Sequence, residues 1–208
     1  MIKNLLFDLG GVIMDIEKER CVAAFETLGL RDARSYFGEF SQQGAFMLLE
    51  QGNISVDEFH AALRPGLPAG VSDEAIDAAF CEFLIGIPPH RLDSLTELRS
   101  RFKVYMLSNT NPIMWDSKIR TEFEQQGRCR EDYFDGIVTS FAAKALKPDR
   151  AIFDYACSQL GILPQETLFV DDSQANLDAA AALGFHTALA APGTEFTDVI
   201  APILEAQA

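Results

Sequence analysis

Apolar positions fall in two patterns along the chain. Leu5-Leu6-Phe7 is an apolar run without polar alternation, closed by Asp8 and followed by Gly10-Gly11. Such a run predicts a strand buried on both faces, and the glycines predict a sharp turn after it. From Ile16 to about Gly86 the period changes and no strand is predicted. Val22, Phe25 and Leu28 form a stripe stopped by Gly29, the pattern of an amphipathic helix with a C-terminal glycine. Ser55-Val56-Asp57-Glu58 is a capping box that opens a helix presenting Phe59, Ala62 and Leu63. Ser72-Asp73-Glu74 opens another, with Ile76, Ala79, Phe80 and Phe83. Gly86-Ile87-Pro88-Pro89 predicts the return linker.

Beyond His90 strands and helices alternate. Val104–Leu107, Gly136–Thr139, Thr167–Val170 and His186–Leu189 read as strands. Helices are predicted around Leu92-Leu95-Leu98, from Pro148 to a stop at Gly161, and through Leu177 to a stop at Gly184. Alternation of this kind implies parallel strands joined by crossover helices. The expected fold is therefore α/β: a doubly wound, Rossmann-like parallel core from residues 1–15 and 90–208, with a helical cap inserted at 16–89.

Composition narrows the function classes. The 208 residues are 48% hydrophobic, enough for a packed core, and carry a formal charge of −14. That charge repels nucleic-acid phosphates, and no basic stripe offsets it. Cys21, Cys81, Cys129 and Cys157 form no Cys-x-x-Cys pair and read as reduced thiols. No signal-peptide pattern is seen and no apolar run approaches the ~20 residues of a membrane span, so the cytoplasm is the expected location.

The informative feature is where polar residues meet strand ends. Asp8, Ser108-Asn109 and Asp171-Asp172 each follow an apolar strand, and Lys147-Pro148 lies between a strand and a helix. In a parallel sheet these points share the carboxyl edge, where ligands bind. An Asp there serves as a nucleophile or metal ligand, or it caps a turn. Three carboxylates in one crevice oppose one another's ionisation, and a hard divalent cation removes that cost. Magnesium (Mg2+) suits a site of carboxylates, water and substrate phosphate.

The same order of motifs resembles the haloacid dehalogenase-like (HAD) superfamily over nearly the whole chain. Asp8 matches its nucleophile, Ser108 its second motif, Lys147 its third, Asp171-Asp172 its acidic fourth, and the insertion its helical type-one cap. The resemblance implies a magnesium-dependent phosphatase that forms an aspartyl-phosphate on Asp8. It further implies that Ser108 and the Asn109 amide hold phosphoryl oxygens, while Lys147 neutralises charge; Lys144 is a competing candidate for that lysine. Magnesium would be held by Asp8, the Gly10 carbonyl and Asp172, with Asp171 as a closer or water-mediated partner. Asn111 and Trp115 follow the second motif and are candidates for the pocket border, the indole stacking on a sugar. Gln42, Gln43, Glu50 and Gln51 are the polar candidates of the cap. His60, His90 and His186 read as structural, Asp15 as a cap on the turn into the insertion, and Asn176 as a tie on the acidic loop.

Family members usually carry a second aspartate, a general acid, two residues past the nucleophile. This chain has Gly10. The Asp-Leu-Gly-x-Val form resembles the sugar-1-phosphate phosphatase and epoxide hydrolase N-terminal branch. It implies a phosphorylated metabolite with an easily released leaving group, such as a hexose 1-phosphate. The alternatives are a catalytically silent binding protein and a 2-haloacid dehalogenase. Either a monomer or a homodimer fits the sequence.

Overall fold

The computed structural model describes residues 1–37 and 42–206. In chain order, β1 (Asn4–Phe7) is followed by the short β2 (Asp15–Ile16). Then come α1 (Lys18–Thr27), α2 (Gly44–Glu50), α3 (Val56–Leu63) and α4 (Asp73–Cys81), and the chain returns through β3 (Leu84–Gly86). The second half holds α5 (Pro89–Leu98), β4 (Lys103–Ser108), α6 (Pro112–Met114), a π-turn (Trp115–Ile119) and α7 (Arg120–Glu124). It continues through β5 (Gly136–Thr139), α8 (Ser140–Ala143), α9 (Arg150–Leu160), β6 (Thr167–Asp171), α10 (Gln174–Ala182), β7 (His186–Leu189) and α11 (Phe196–Glu205).

The main sheet has the order β5-β4-β1-β6-β7, and every pair in it is parallel. β1 lies at its centre because all four of its residues are buried, as an apolar run without alternation requires. The five expected strands are all present. Helices cover both faces: Leu5, Phe7, Val104 and Met106 pack on one side, and Leu6, Leu107, Ile152, Phe153 and Phe169 on the other.

The insertion has its own aromatic centre. Phe46 lies 5.2 Å from Phe25, 4.8 Å from Phe37, 5.0 Å from Phe59 and 4.9 Å from Phe80, mostly edge to face or tilted. The Ser55 capping box forms as expected, with its hydroxyl accepting from Glu58 N–H and its own N–H reaching the Glu58 carboxylate.

The insertion is not purely helical, which corrects the sequence reading. β2 and β3 pair antiparallel where the chain leaves and re-enters the core, forming a two-stranded stalk. Strands of two and three residues are too short to display a period. Arg91 fastens the base of this stalk to the core: its guanidinium donates to Asp15 at 2.7 Å, Ile13 O at 3.2 Å and Glu195 at 3.0 Å. Asp15 thus accepts from an arginine. His60 pairs with Asp77 at 2.7 Å, His90 with Glu195 at 3.1 Å, and His186 contacts Gln165 O at 3.1 Å; all three stand outside the strand-end cluster. All four cysteines are free. No helix among the described residues is long and apolar enough to cross a membrane.

Candidate active site

Strand register brings the distant acids together. Phe7 is level with Val170, and Asp8 N–H donates to Val170 O at 2.9 Å, carrying the ladder one residue past β1. Asp8 therefore lies beside Asp171, the last residue of β6, and Ser108 ends the neighbouring β4. Lys147 arrives from the segment between α8 and α9. The Asn109 side chain fixes its backbone twice, accepting from Lys147 N at 2.9 Å and donating to Lys147 O at 3.1 Å. An amide used in this way imitates a strand partner and sets where the lysine side chain starts.

The Lys147 side chain is 1% exposed, and its Nζ lies 2.7 Å from both Asp8 Oδ1 and Asp171 Oδ2. Asp171 is fully committed: its other oxygen accepts from Ser173 N–H at 2.8 Å and from the Asn176 amide at 2.9 Å. Asn176 thus ties the acidic loop. Leu9 N–H also donates to Asp8 Oδ1, at 2.7 Å. Both donors to Asp8 reach that one oxygen, and among the described residues Oδ2 receives none.

Burial dominates the electrostatics. Desolvation pushes the Asp8 carboxyl up to about 7; Lys147 opposes the shift, and Asp171 and Asp172 add to it. Asp172 rises to about 6 through desolvation and then the neighbouring Asp171 charge. Burial works against the Lys147 ammonium, yet the attraction of Asp171 and Asp8 outweighs it and holds that group above the usual lysine range. Among the described residues Lys147 is the cation in contact with Asp8 and Asp171, one ammonium against a cluster of three carboxylates.

The residues present fit a hard divalent cation. Asp8, Asp171 and Asp172 place carboxylate oxygens within 4.8 Å of one another, an all-oxygen set. Gly11 clears the ground for it. Its φ is +78°, and a Cβ there would stand 2.2 Å from Asp172 Oδ2. Only a residue without a side chain turns the chain at that point and lets Asp172 approach.

A cavity of about 190 Å3 opens over these groups, bordered by Asp8, Ser108, Asn109, Lys147 and Asp172 from the sheet. Gln42 and Glu50 border it from the insertion; Gln43 and Gln51 do not. Lys18, Thr110 and Ser173 also line it and carried no sequence signal that separated them from ordinary polar positions.

Two expected border residues lie elsewhere. Asn111 is fully buried and its side chain accepts from Met114 N–H at 3.0 Å, which makes it the N-cap of α6. Trp115 lines a separate cavity, with the Arg130 guanidinium 3.9 Å from its ring centroid and Phe141 edge-on at 6.4 Å. Neither borders the cavity over Asp8. Lys144 adopts φ 54° as the C-terminal cap of α8, so Lys147 is the lysine in contact with Asp8.

Residues 2–184 match the family model of haloacid dehalogenase-like hydrolases. The chain belongs to the HAD-like hydrolase family. Among relatives of this HAD-like hydrolase is the D-ribitol-5-phosphate phosphatase of Bacteroides thetaiotaomicron, 36% identical over 204 residues, spanning 98% of this chain and 99% of that protein. The sesquiterpene phosphatase astK of Aspergillus oryzae is 27% identical over 206 residues, 98% of this chain and 94% of its own. A HAD family enzyme of Bacteroides thetaiotaomicron, solved as the wild-type protein with magnesium and inorganic phosphate, superposes with a TM-score of 0.88 at 37% identity. That alignment covers 95% of this chain and 98% of the solved one. The L-2-haloacid dehalogenase of Xanthobacter autotrophicus, at 23% identity and a TM-score of 0.60, shares the fold.

Proposed function

We propose that this HAD-like hydrolase removes phosphate from a small polyhydroxylated phosphomonoester, a sugar or sugar-alcohol phosphate. The enzyme is a magnesium-dependent phosphatase. The observation that carries the finer reading is the clamp of Lys147 between Asp8 and Asp171 beside Asp172, set under a cavity with polar cap residues. At about 190 Å3 this cavity is smaller than the ~300–1,000 Å3 of drug-sized ligand sites, which favours a compact metabolite.

In this reading Asp8 Oδ2, the oxygen free of donors, attacks phosphorus. The bond to the ester oxygen breaks, the alcohol leaves with a proton taken from water, and an aspartyl-phosphate forms, later cleaved by a second water to release inorganic phosphate. Lys147 opposes the protonation of Asp8 and holds it in register, while the Ser108 hydroxyl and the Asn109 N–H receive the phosphoryl oxygens. Asp8, Asp172 and the Gly10 carbonyl would hold the magnesium ion, and Asp171 would position Lys147 and the loop around Ser173. When bound, the cation supplies positive charge against the transferring phosphoryl group.

Gly10 offers no proton to the leaving oxygen. The hexose 1-phosphate expectation answered that gap with an easily released leaving group. The D-ribitol-5-phosphate phosphatase is named for a primary alkyl ester. That supports a substrate class broader than anomeric phosphates. The dehalogenase alternative has against it a carboxylate cluster built for a cation.

The test is a magnesium-dependent phosphate-release screen across pentitol 5-phosphates, hexose 1- and 6-phosphates, aryl phosphates and nucleotides. Polyhydroxylated esters should lead, and Asp8→Asn should abolish release on all of them. Turnover persisting in Asp8→Asn would remove that residue from its role. No phosphate release from any ester would favour a silent binding protein.

A further inference from the structure

The insertion presents the cavity with a polar pair that is matched but incomplete. Gln42 is 8% exposed and Glu50 7%, and both line the cavity over Asp8. The Gln42 amide donates to Glu50 Oε1 at 2.7 Å. Its carbonyl oxygen, Oε1, is buried with no hydrogen-bond partner among the described residues. An unsatisfied buried acceptor is costly, and one that borders a cavity is open to the donor of a ligand bound there. Burial pushes the Glu50 carboxyl up to about 8, so at neutral pH its protonated form prevails and is able to donate. The neighbouring wall is apolar, formed by Phe37, Phe83 and Leu84. Phosphoryl transfer employs neither Gln42 nor Glu50, because its groups all come from the sheet edge.

We propose that Gln42 and Glu50 are the specificity-determining pair of the cap and bind a hydroxyl of the substrate's polyol chain, which donates to Gln42 Oε1 and accepts from Glu50. This rests on the phosphatase reading above and names what its substrate must carry. An isoprenoid chain at the same place leaves Gln42 Oε1 unsatisfied, so an apolar phosphate is selected against. The pair acts on binding of the carbon chain and takes no part in bond breaking.

The test compares kcat/KM for a pentitol 5-phosphate and for n-pentyl phosphate, which has the same chain without hydroxyls. A pocket built around a hydroxyl discriminates strongly against an analogue lacking it, so the wild-type ratio should be at least about 100. Gln42→Leu and Glu50→Leu should each lower that ratio about tenfold or more, mainly through KM, as loss of a buried hydrogen bond implies. Glu50→Gln should keep most of it, because an amide also donates. A wild-type ratio near one would overturn both this assignment and the proposed substrate class. A high ratio retained in the leucine variants would overturn this assignment alone. Damage from Glu50→Gln equal to that from Glu50→Leu would overturn it too, by pointing to proton transfer. Should the leucine variants melt early, monodeoxy pentitol phosphates on the wild type decide the matter. One hydroxyl position should carry most of the preference, and an even spread over all positions would refute the pair.

Discussion

Replacing Gly11 by alanine tests the metal site with one methyl group, and the adjacent Gly10 provides the control. At Gly11 the substitution meets two obstacles. Its φ of +78° lies in the region where an L side chain costs about 1–2 kcal/mol. The new Cβ would also stand 2.2 Å from Asp172 Oδ2, more than 1 Å inside ordinary contact as a rough measure. The carboxylate has to swing away, and a cation that demands ligands at ~2.0–2.1 Å in near-octahedral order does not follow it. Even changes behind the ligands typically cost about 10–100-fold in metal affinity, so loss of Asp172 itself should cost at least about 100-fold. At Gly10 the added Cβ would meet Ile16 Cγ2 at 3.5 Å, an ordinary contact, and φ there is not positive. Gly10→Ala should therefore stay close to wild type. The assay is the magnesium dependence of phosphate release, with thermal unfolding in parallel. Gly11→Ala should also lower the melting temperature by about 2–8 °C, from ~2–4 °C per kcal/mol at this chain length. Gly11→Ala with magnesium affinity within threefold of wild type, or Gly10→Ala equally impaired, would refute the geometric argument.

Two further outcomes follow from the same cluster. Lys147→Met leaves Asp8 and Asp171 buried without their cation, and should cost about 3–5 kcal/mol in urea unfolding at neutral pH. The lysine pKa is raised on folding, so its contribution is complete below about 10.4 and the penalty at neutral pH is undiminished; a loss under 1 kcal/mol would contradict the clamp. Asp8 and Asp172 rise to about 7 and about 6, so the metal-free folded chain binds more protons than the unfolded chain above the ordinary carboxylate range. Its stability should fall as pH rises from about 4 to about 7, and magnesium should restore it. Calorimetric magnesium affinity should level off above about pH 7 and fall about tenfold per pH unit below it, steepening below about pH 6; a pH-independent affinity would disprove the coupling.

The sheet and its polar carboxyl edge were legible because one physical fact writes both. Strands buried on two faces need unbroken apolar runs, and the first polar residue after each run lands at the carboxyl edge. Asp8, Ser108 and Asp171 are placed at that edge in this way, and the β1 register sets Asp8 beside Asp171 on β6, with Ser108 one residue further along β4. What escaped depends on direction or on elements too short to have a period. The β2–β3 stalk has five residues in total, with no alternation to read. Asn111 precedes Pro112, a pairing that marks an N-cap followed by the first helical residue, and that signal argued for a buried cap over a pocket wall. Trp115 opens a π-turn, whose wider winding sends its ring towards Arg130 and Phe141. Glu50 was separable from Gln51 in principle. It lies four residues after the buried Phe46, on the same face of α2, and a charged residue on a buried helical face is a functional signal.

The segment from Asp8 to Ile16 joins catalysis to cap position more tightly than two separate domains would. Within it lie Asp8, the proposed nucleophile, the Gly10 carbonyl proposed for the metal, the Gly11 turn and the first strand of the stalk. Gly10 bridges to Met14, and Gly11 N–H donates to Met14 O at 2.8 Å, so the metal-side loop folds back on the residue before the stalk. Ile16, in β2, lines the cavity and would touch any Cβ placed at Gly10. Arg91 pins Ile13 O and Asp15 from the core side. A rigid-body movement of the cap therefore has to bend beyond Asp15, because the residues before it are held by the same hydrogen bonds that shape the site. Ile16 is the first residue past that anchor, and it sits against Gly10. Cap movement at this point changes the wall beside the Gly10 carbonyl while leaving Asp8 where β1 and Val170 fix it. Under the proposed function, such an arrangement lets the insertion adjust the cavity to the substrate while Asp8 stays aligned whichever ester enters.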